Sequence, residues 1–270
     1  MSKMTVELKV VELVLQERIA TISFNRPDAL NALNEEVLEQ FIQCLKVVEE
    51  SEADFLIVKG NGKVFSAGGD INMMMSPSQS ERFEQVMDLI NEAVLTLYSL
   101  PQMTISVLHG AAAGLGLSIA LASDYIIAER HTKIAMNFIG IALIPDGGGH
   151  FLLEKRIGAH RAKQLIWEGK TLKAEEAHQF GIIDEIKEGD LAKHVEDYLS
   201  YWLKKPSRAL KETKRIYVET SVSQLKQVLA LEKRSQFAMS QSPDHKEGVR
   251  AFLEKRAPVF NQSEKDISEN

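Results

Sequence analysis

Residues Met103 to Ala128 read MTISVLHGAAAGLGLSIALASDYIIA. Met103 to His109 is short, apolar and partly β-branched, the signature of a buried strand. Leu115 to Ser123 is a run of small and aliphatic residues suited to a closely packed helix, and Tyr125 to Ala128 is apolar again and predicts another strand. The glycines between the first strand and the helix mark a tight connection. Upstream, FLIVKG (Phe55 to Gly60) predicts a buried strand, followed by a glycine cluster, a polar loop with Pro77 and a helix from about Glu81 to Tyr98. Repetition of strand, glycine loop and helix implies a layered α/β core.

The rest of the chain extends this frame. KVVELVLQER and IATISFNRP predict two strands joined by a polar turn at Glu17 and Arg18. Val37, Leu38, Phe41, Leu45 and Val48 share one face of a helix predicted over Glu35 to Glu49. Beyond about residue 159 the pattern turns mostly helical, with Pro206 suited to a first helical position. The shift near residue 200 separates a core, 1–200, from a helical region, 201–270. Val94 to Ser123 carries no formal charge, but Pro101, His109 and three glycines make a strand followed by a helix a better reading than a membrane span. The opening MSKMTVELKV lacks an apolar core and a cleavage site, so a cytoplasmic location is expected.

Composition excludes classes without selecting one. In 270 residues, Cys44 is the single cysteine, which removes an internal disulfide framework and any multi-cysteine zinc site. The balance of 32 basic and 38 acidic residues, −6 net, argues against nucleic-acid and anionic-membrane partners. Of 16 glycines, 11 lie between Gly60 and Gly149, in three clusters.

Each cluster has a chemical and a plain structural reading. Val64-Phe-Ser-Ala-Gly-Gly-Asp-Ile71 follows a strand, where an open α/β sheet places its ligand crevice, and glycine backbone can approach a ligand closely. A tight turn with Asp70 as a helix N-cap fits equally well. His109 to Gly116 precedes a helix whose first N–H groups and dipole suit an oxyanion; dense Ala/Gly packing is the plain alternative. Gly114-Leu-Gly116 mimics a dinucleotide fingerprint only loosely, since the third glycine is missing. Ile139 to His150, IGIALIPDGGGH, sets Asp146 before a glycine-rich helix start, as an N-cap or as a functional carboxyl. If Phe138, Leu143 and Ile144 surround that carboxyl, desolvation raises its pKa toward the range useful for proton transfer. His109 and His150 read as structural histidines, and no Gly-x-Ser-x-Gly elbow is present.

Six collinear segments together resemble the crotonase superfamily of enoyl-CoA hydratases and isomerases. They are NRPDALNALN (Asn25 to Asn34), VFSAGGDI (Val64 to Ile71), HGAAAGLGLSIALASD (His109 to Asp124), IGIALIPDGGG (Ile139 to Gly149), GKTLKAEEAHQFGIIDEI (Gly169 to Ile186) and EGVRAFLEKRAPVF (Glu247 to Phe260). The resemblance implies a crotonase-like spiral of ββα units with a C-terminal helical region that trimerises, often as a dimer of trimers. It implies an acyl-CoA substrate and no metal or redox cofactor, coenzyme A entering only as part of the thioester. Carried over by position, the N–H groups of Gly69 and Leu115 form an oxyanion hole. Ala29, Leu30 and Ala67 line the coenzyme A site, and Lys255 reaches for its phosphates or for those of a molecule on a neighbouring subunit.

One departure bears on the reaction. Family hydratases hold water between two glutamates, and the matching positions here are Ser118 and Phe138. Neither side chain is a carboxylate. Asp146 stands where several isomerases of the family carry their catalytic acid. A lone carboxylate suits a proton shuttle, so double-bond isomerisation of an enoyl-CoA is expected. Hydration of a trans-2-enoyl-CoA, with His150 or the Met73 to Ser80 loop assisting, is the alternative. A silent coenzyme A-binding subunit is a third. The Met73, Met74, Met75 run is expected to shape the acyl pocket or simply to pack beneath a loop.

Overall fold

The computed structural model describes residues 3–70 and 80–262. Its first strands are β1 (Met4–Glu7), β2 (Val11–Gln16), β3 (Ile19–Phe24) and β4 (Phe55–Gly60), with helix α1 (Glu35–Glu49) between the last two. Helix α2 (Ser80–Ser99), strands β5 (Met103–Leu108) and β6 (Ala111–Ala113), and helix α3 (Leu115–Leu121) follow. Next come β7 (Tyr125–Glu129), β8 (Lys133–Ala135), α4 (Gly149–Glu168, broken at Gly158), β9 (Thr171–Lys173), α5 (Ala174–Phe180) and β10 (Glu185–Lys187). The chain then runs through α6 (Leu191–Trp202), α7 (Ser207–Ser240) and α8 (Pro243–Leu253).

A seven-stranded sheet orders these strands β1-β2-β3-β4-β5-β7-β10, antiparallel across β1 to β3 and parallel from β3 onward. A smaller layer contains β6, β8 and β9. Two isolated parallel bridges, Leu33 with Gly69 and Ser66 with Ala112, continue that layer toward the start of the chain. The chain therefore steps from the large sheet to the small layer after β4, β5 and β7 in turn. This is the spiral of ββα units expected from the sequence.

The apolar run at Phe55 to Gly60 is explained by burial on both faces. Leu56 and Val58 enter the main core, while Phe55 and Ile57 join Ile105, Val107 and Ile127 beneath Val195 and Leu199 of α6. The uncharged stretch from Val94 to Ser123 is divided among α2, β5, β6 and α3, and among the described residues no helix is long and apolar enough to cross a membrane. Two readings needed adjustment. Ala111 to Ala113, expected as loop, forms a strand because the neighbouring β8 supplies its hydrogen-bond ladder. Pro206 is the cap of α7 and not its first residue.

The long α7 lies across the chain's own core. Near its start, buried Lys214 donates to the Gln102 carbonyl and the Asp124 carboxylate, both at 2.7 Å. Farther along, Lys233 pairs with Asp88 at 2.6 Å and Phe237 meets Phe83 with ring centroids 5.3 Å apart, which ties α7 to α2. α8 then docks on residues 138–141. A side chain at Gly248 would come within 2.7 Å of the Ile141 backbone, and His245 Nδ1 lies 2.8 Å from the Ile141 carbonyl.

Candidate active site

The first glycine loop is built on an aromatic anchor. Phe65, fully buried, packs edge-on to Phe24, which in turn tilts against Phe41 of α1. Asn31 holds the other side, its amide donating to the carbonyls of Asn61 and Val64, both at 2.8 Å. Ser66 Oγ donates to the Asn31 carbonyl and accepts from the Gly68 N–H. These bonds tie the loop to the backbone on both sides of it.

The second loop comes against the first, backbone to backbone. Gly68 has φ +103°, and a Cβ there would lie 2.8 Å from the Ala113 carbonyl oxygen and 3.7 Å from the Gly114 Cα. Only a residue without a side chain permits this approach. Leu115 opens α3, so its N–H lacks a partner inside the helix. The third loop closes on the other two. Gly147 and Gly148 turn through left-handed backbone, and a Cβ on Gly147 would meet the Leu115 side chain at 2.8 Å. Ser118 Oγ donates to the Asp146 carbonyl at 2.8 Å. It therefore supports the turn and does not face a ligand as an acid or base.

These loops border one cavity of about 840 Å³. Gly69, Leu115 and Asp146 all line it, and so do apolar side chains of α2, including Phe83, Met87 and Ile90. Val249 and Leu253 of α8 complete the apolar wall. Among the described residues three carboxylates reach this wall. Asp70 pairs with Arg26 at 3.1 Å and Glu35 with Arg82 at 2.9 Å. Among the described residues no Lys or Arg pairs with Asp146. It is only 6% exposed, and its Oδ1 accepts no hydrogen bond from another described residue. Oδ2 accepts from Gln236 Nε2 at 3.3 Å.

Burial above all pushes the Asp146 pKa up to about 7; the Glu232 carboxylate adds to the rise, while Gln236, the residue's own backbone N–H and His150 oppose it. The unfolded chain releases this proton near the ordinary carboxylate value of 3.8, whereas the native chain holds it to about 7. Between those values the native state binds the extra proton, so this group makes stability fall as pH rises, by about 1.4 kcal/mol per unit, and its effect levels off above the window. Asp146→Asn abolishes the titration. Melting temperatures should place the variant above the wild type at about pH 8, with the gap narrowing toward about pH 4. A gap that stays constant across that range would contradict the burial argument.

The remaining expected site residues do not reach the cavity wall. Ala67 N–H donates to the Leu30 carbonyl at 2.9 Å, so Ala67, Leu30 and Ala29 form an accessible patch beside the first loop. Lys255 is exposed just beyond α8. Phe138 is buried with its ring close to Gly114. His109 Nε2 meets the Gly62 carbonyl, and His150 Nδ1 donates to Glu232 at 2.7 Å. Met73 to Met75 lie outside the described residues. Among the described residues no three His, Cys, Asp or Glu side chains gather as metal ligands.

Glu232 and Gln236 were missed from sequence. Their signal was available: Leu225, Leu229, Glu232 and Gln236 are all buried on α7, at the spacing of a helical stripe. Two polar residues on an apolar stripe call for buried partners.

Comparison with known proteins agrees with this geometry. Residues 15–263 match the family model for enoyl-CoA hydratase/isomerase. The chain belongs to the enoyl-CoA hydratase/isomerase family. Within it, YhaR of Bacillus subtilis (strain 168), which carries the enoyl-CoA hydratase/isomerase name, is 46% identical over 94% of this chain and 99% of its own. The trans-2-decenoyl-(acyl-carrier-protein) isomerase of Streptococcus mutans is 32% identical over 90% of this chain and 94% of its own. The crystal structure of an enoyl-CoA hydratase from Mycobacterium avium subsp. paratuberculosis K-10 superposes with a TM-score of 0.86 at 28% identity, covering 95% of this chain and all of that one. The fold is therefore the crotonase fold, and the protein is an enzyme of enoyl-CoA isomerase or hydratase type.

Proposed function

We propose that this enzyme moves the double bond of an enoyl-CoA thioester, with Asp146 as the single acid/base. One observation carries the reading. Asp146 is the one cavity-lining carboxylate among the described residues that is not neutralised by a cation, and it lies beside the loops that present the Gly69 and Leu115 N–H groups. The thioester oxygen of a 3-enoyl-CoA accepts hydrogen bonds from those two groups. The ionised Asp146 takes a proton from C2, the C2–H electrons pass into a conjugated dienolate, and negative charge gathers on the oxygen held by the two donors. Return of the proton to C4 leaves a 2-enoyl-CoA. A carboxyl that titrates near neutrality can both take and return a proton, which an ordinary carboxylate does poorly.

Hydration asks for a second group to activate water. Ser118 is occupied with the Asp146 carbonyl, and Phe138 has no exchangeable proton. The apolar wall suits an acyl chain, and coenzyme A enters as the thioester carrier with Ala29, Leu30, Ala67 and Lys255 on its side of the site. Exposed Tyr217 and Trp167 support assembly with further copies of the chain, as in a homotrimer or a dimer of trimers.

Absorbance of the conjugated thioester separates the reactions. A 3-enoyl-CoA should gain absorbance on incubation, and a trans-2-enoyl-CoA should not lose it to hydration. Rapid loss with the second substrate and no gain with the first would replace isomerase by hydratase. Failure to turn over either would favour a non-catalytic coenzyme A-binding subunit.

A further inference from the structure

We propose that Gln236, on the C-terminal helix α7, is a positioning residue that holds one oxygen of Asp146 and leaves the other to exchange the proton with substrate. This rests on the acid/base reading of Asp146. Gln236 Oε1 accepts from the Ile144 N–H at 3.2 Å, and its Nε2 stands 3.3 Å from Asp146 Oδ2. A backbone N–H can only donate, so the amide oxygen must face Ile144 and the NH₂ must face the carboxyl. The amide is buried, 3% exposed, and has no alternative orientation that satisfies both neighbours. Oδ1 is left without a partner from any other described residue, on a carboxyl that borders the cavity.

The backbone that carries Asp146 is held from the same helix. Glu232, one turn before Gln236, accepts from the Gly148 N–H at 2.7 Å and the His150 N–H at 3.1 Å. One face of α7 thus grips the turn and the carboxyl together. Glu232 from α7 and His150 from α4 are the titratable groups that act on the carboxyl, the first raising its pKa and the second opposing the rise. Across the cavity stand the pairs Glu35–Arg82 and Asp70–Arg26, with His245, Lys246 and Arg250 on α8. Gln236 is the described side chain that donates to Oδ2.

Gln236→Met removes the donor while keeping length and helix preference. In protein carrying ¹³C-labelled aspartate, the Asp146 carboxyl resonance is the one lost in Asp146→Asn. Its titration should move to higher pH by about one unit in Gln236→Met, because the hydrogen bond favours the ionised form. With a 3-enoyl-CoA, kcat should fall about tenfold with KM changed less than about threefold, and the ascending limb of the kcat–pH profile should move the same way. An unmoved titration together with an unchanged kcat overturns the proposal, whatever happens to melting temperature. If Gln236→Met does not fold, Gln236→Leu is read in the same manner. Failure of both to fold overturns it too, by making Gln236 a folding residue. Full turnover in Asp146→Asn would sink the acid/base reading instead, and the titration would still report whether Gln236 holds Oδ2.

Discussion

Asp146→Asn should lower turnover of a 3-enoyl-CoA by about 10³–10⁴-fold, at the upper end of what a single acid/base group contributes. The amide keeps the shape of the side chain but cannot accept the C2 proton at neutral pH. The turn itself rests on groups that the substitution leaves in place, namely Ser118 on the Asp146 carbonyl and Glu232 on the Gly148 N–H. Removing a carboxyl whose charged form burial disfavours also relieves the native state at neutral pH. The variant should therefore be well folded and should bind coenzyme A thioesters with a dissociation constant within about threefold of wild type, as expected when a group acts mainly in the transition state. Turnover within a factor of about ten of wild type would show that another group moves the proton.

Gly68→Ala is the second large effect. The added Cβ would sit 2.8 Å from the Ala113 carbonyl oxygen, and the backbone there has φ +103°, which side-chain-bearing residues rarely adopt. The two loops must separate or the backbone must turn. Either change moves the Gly69 N–H relative to the Leu115 N–H. Loss of one well-placed oxyanion donor costs about 10²–10³ in kcat, and a similar fall is expected here. The strain should cost about 1–3 kcal/mol of stability, which the rest of the core can absorb. Gly140→Ala is the control, since a Cβ there meets nothing within 4 Å. Equal activity in the two variants would detach the loop contact from catalysis.

The two substitutions probe parts of the site that differ in how far they can be read from the chain alone. Phe55 to Gly60 declares its strand because burial on both faces demands continuous apolar residues. Helix α1 declares itself because one face must be apolar, and Val37, Leu38, Phe41, Leu45 and Val48 are all buried. The short β6, β8 and β9 do not, since three residues carry too little periodicity and gain their ladders only from neighbours distant in sequence. Glu232 and Gln236 escaped for a related reason. Their partners at Gly148, His150, Ile144 and Asp146 lie more than eighty residues away, and nothing local pairs them.

The resemblance to the family singled out Asp146, whereas by itself the sequence determined the alternation of strand, glycine loop and helix and the three loops. Local sterics and periodic burial write these into the chain, residue by residue. The tertiary structure alone decided that the first two loops meet so closely that Gly68 has no room for a Cβ, that Asp146 sits in the same cavity as Gly69 and Leu115, and that α7 returns to hold it. The region after residue 200 reads as helical from its own periodicity. Its place over the cavity follows from long-range packing, through buried Lys214 at one end and Phe237 against Phe83 farther along. The raised pKa of Asp146 belongs to that second class, because desolvation is a property of everything that surrounds a carboxyl and of no residue taken singly.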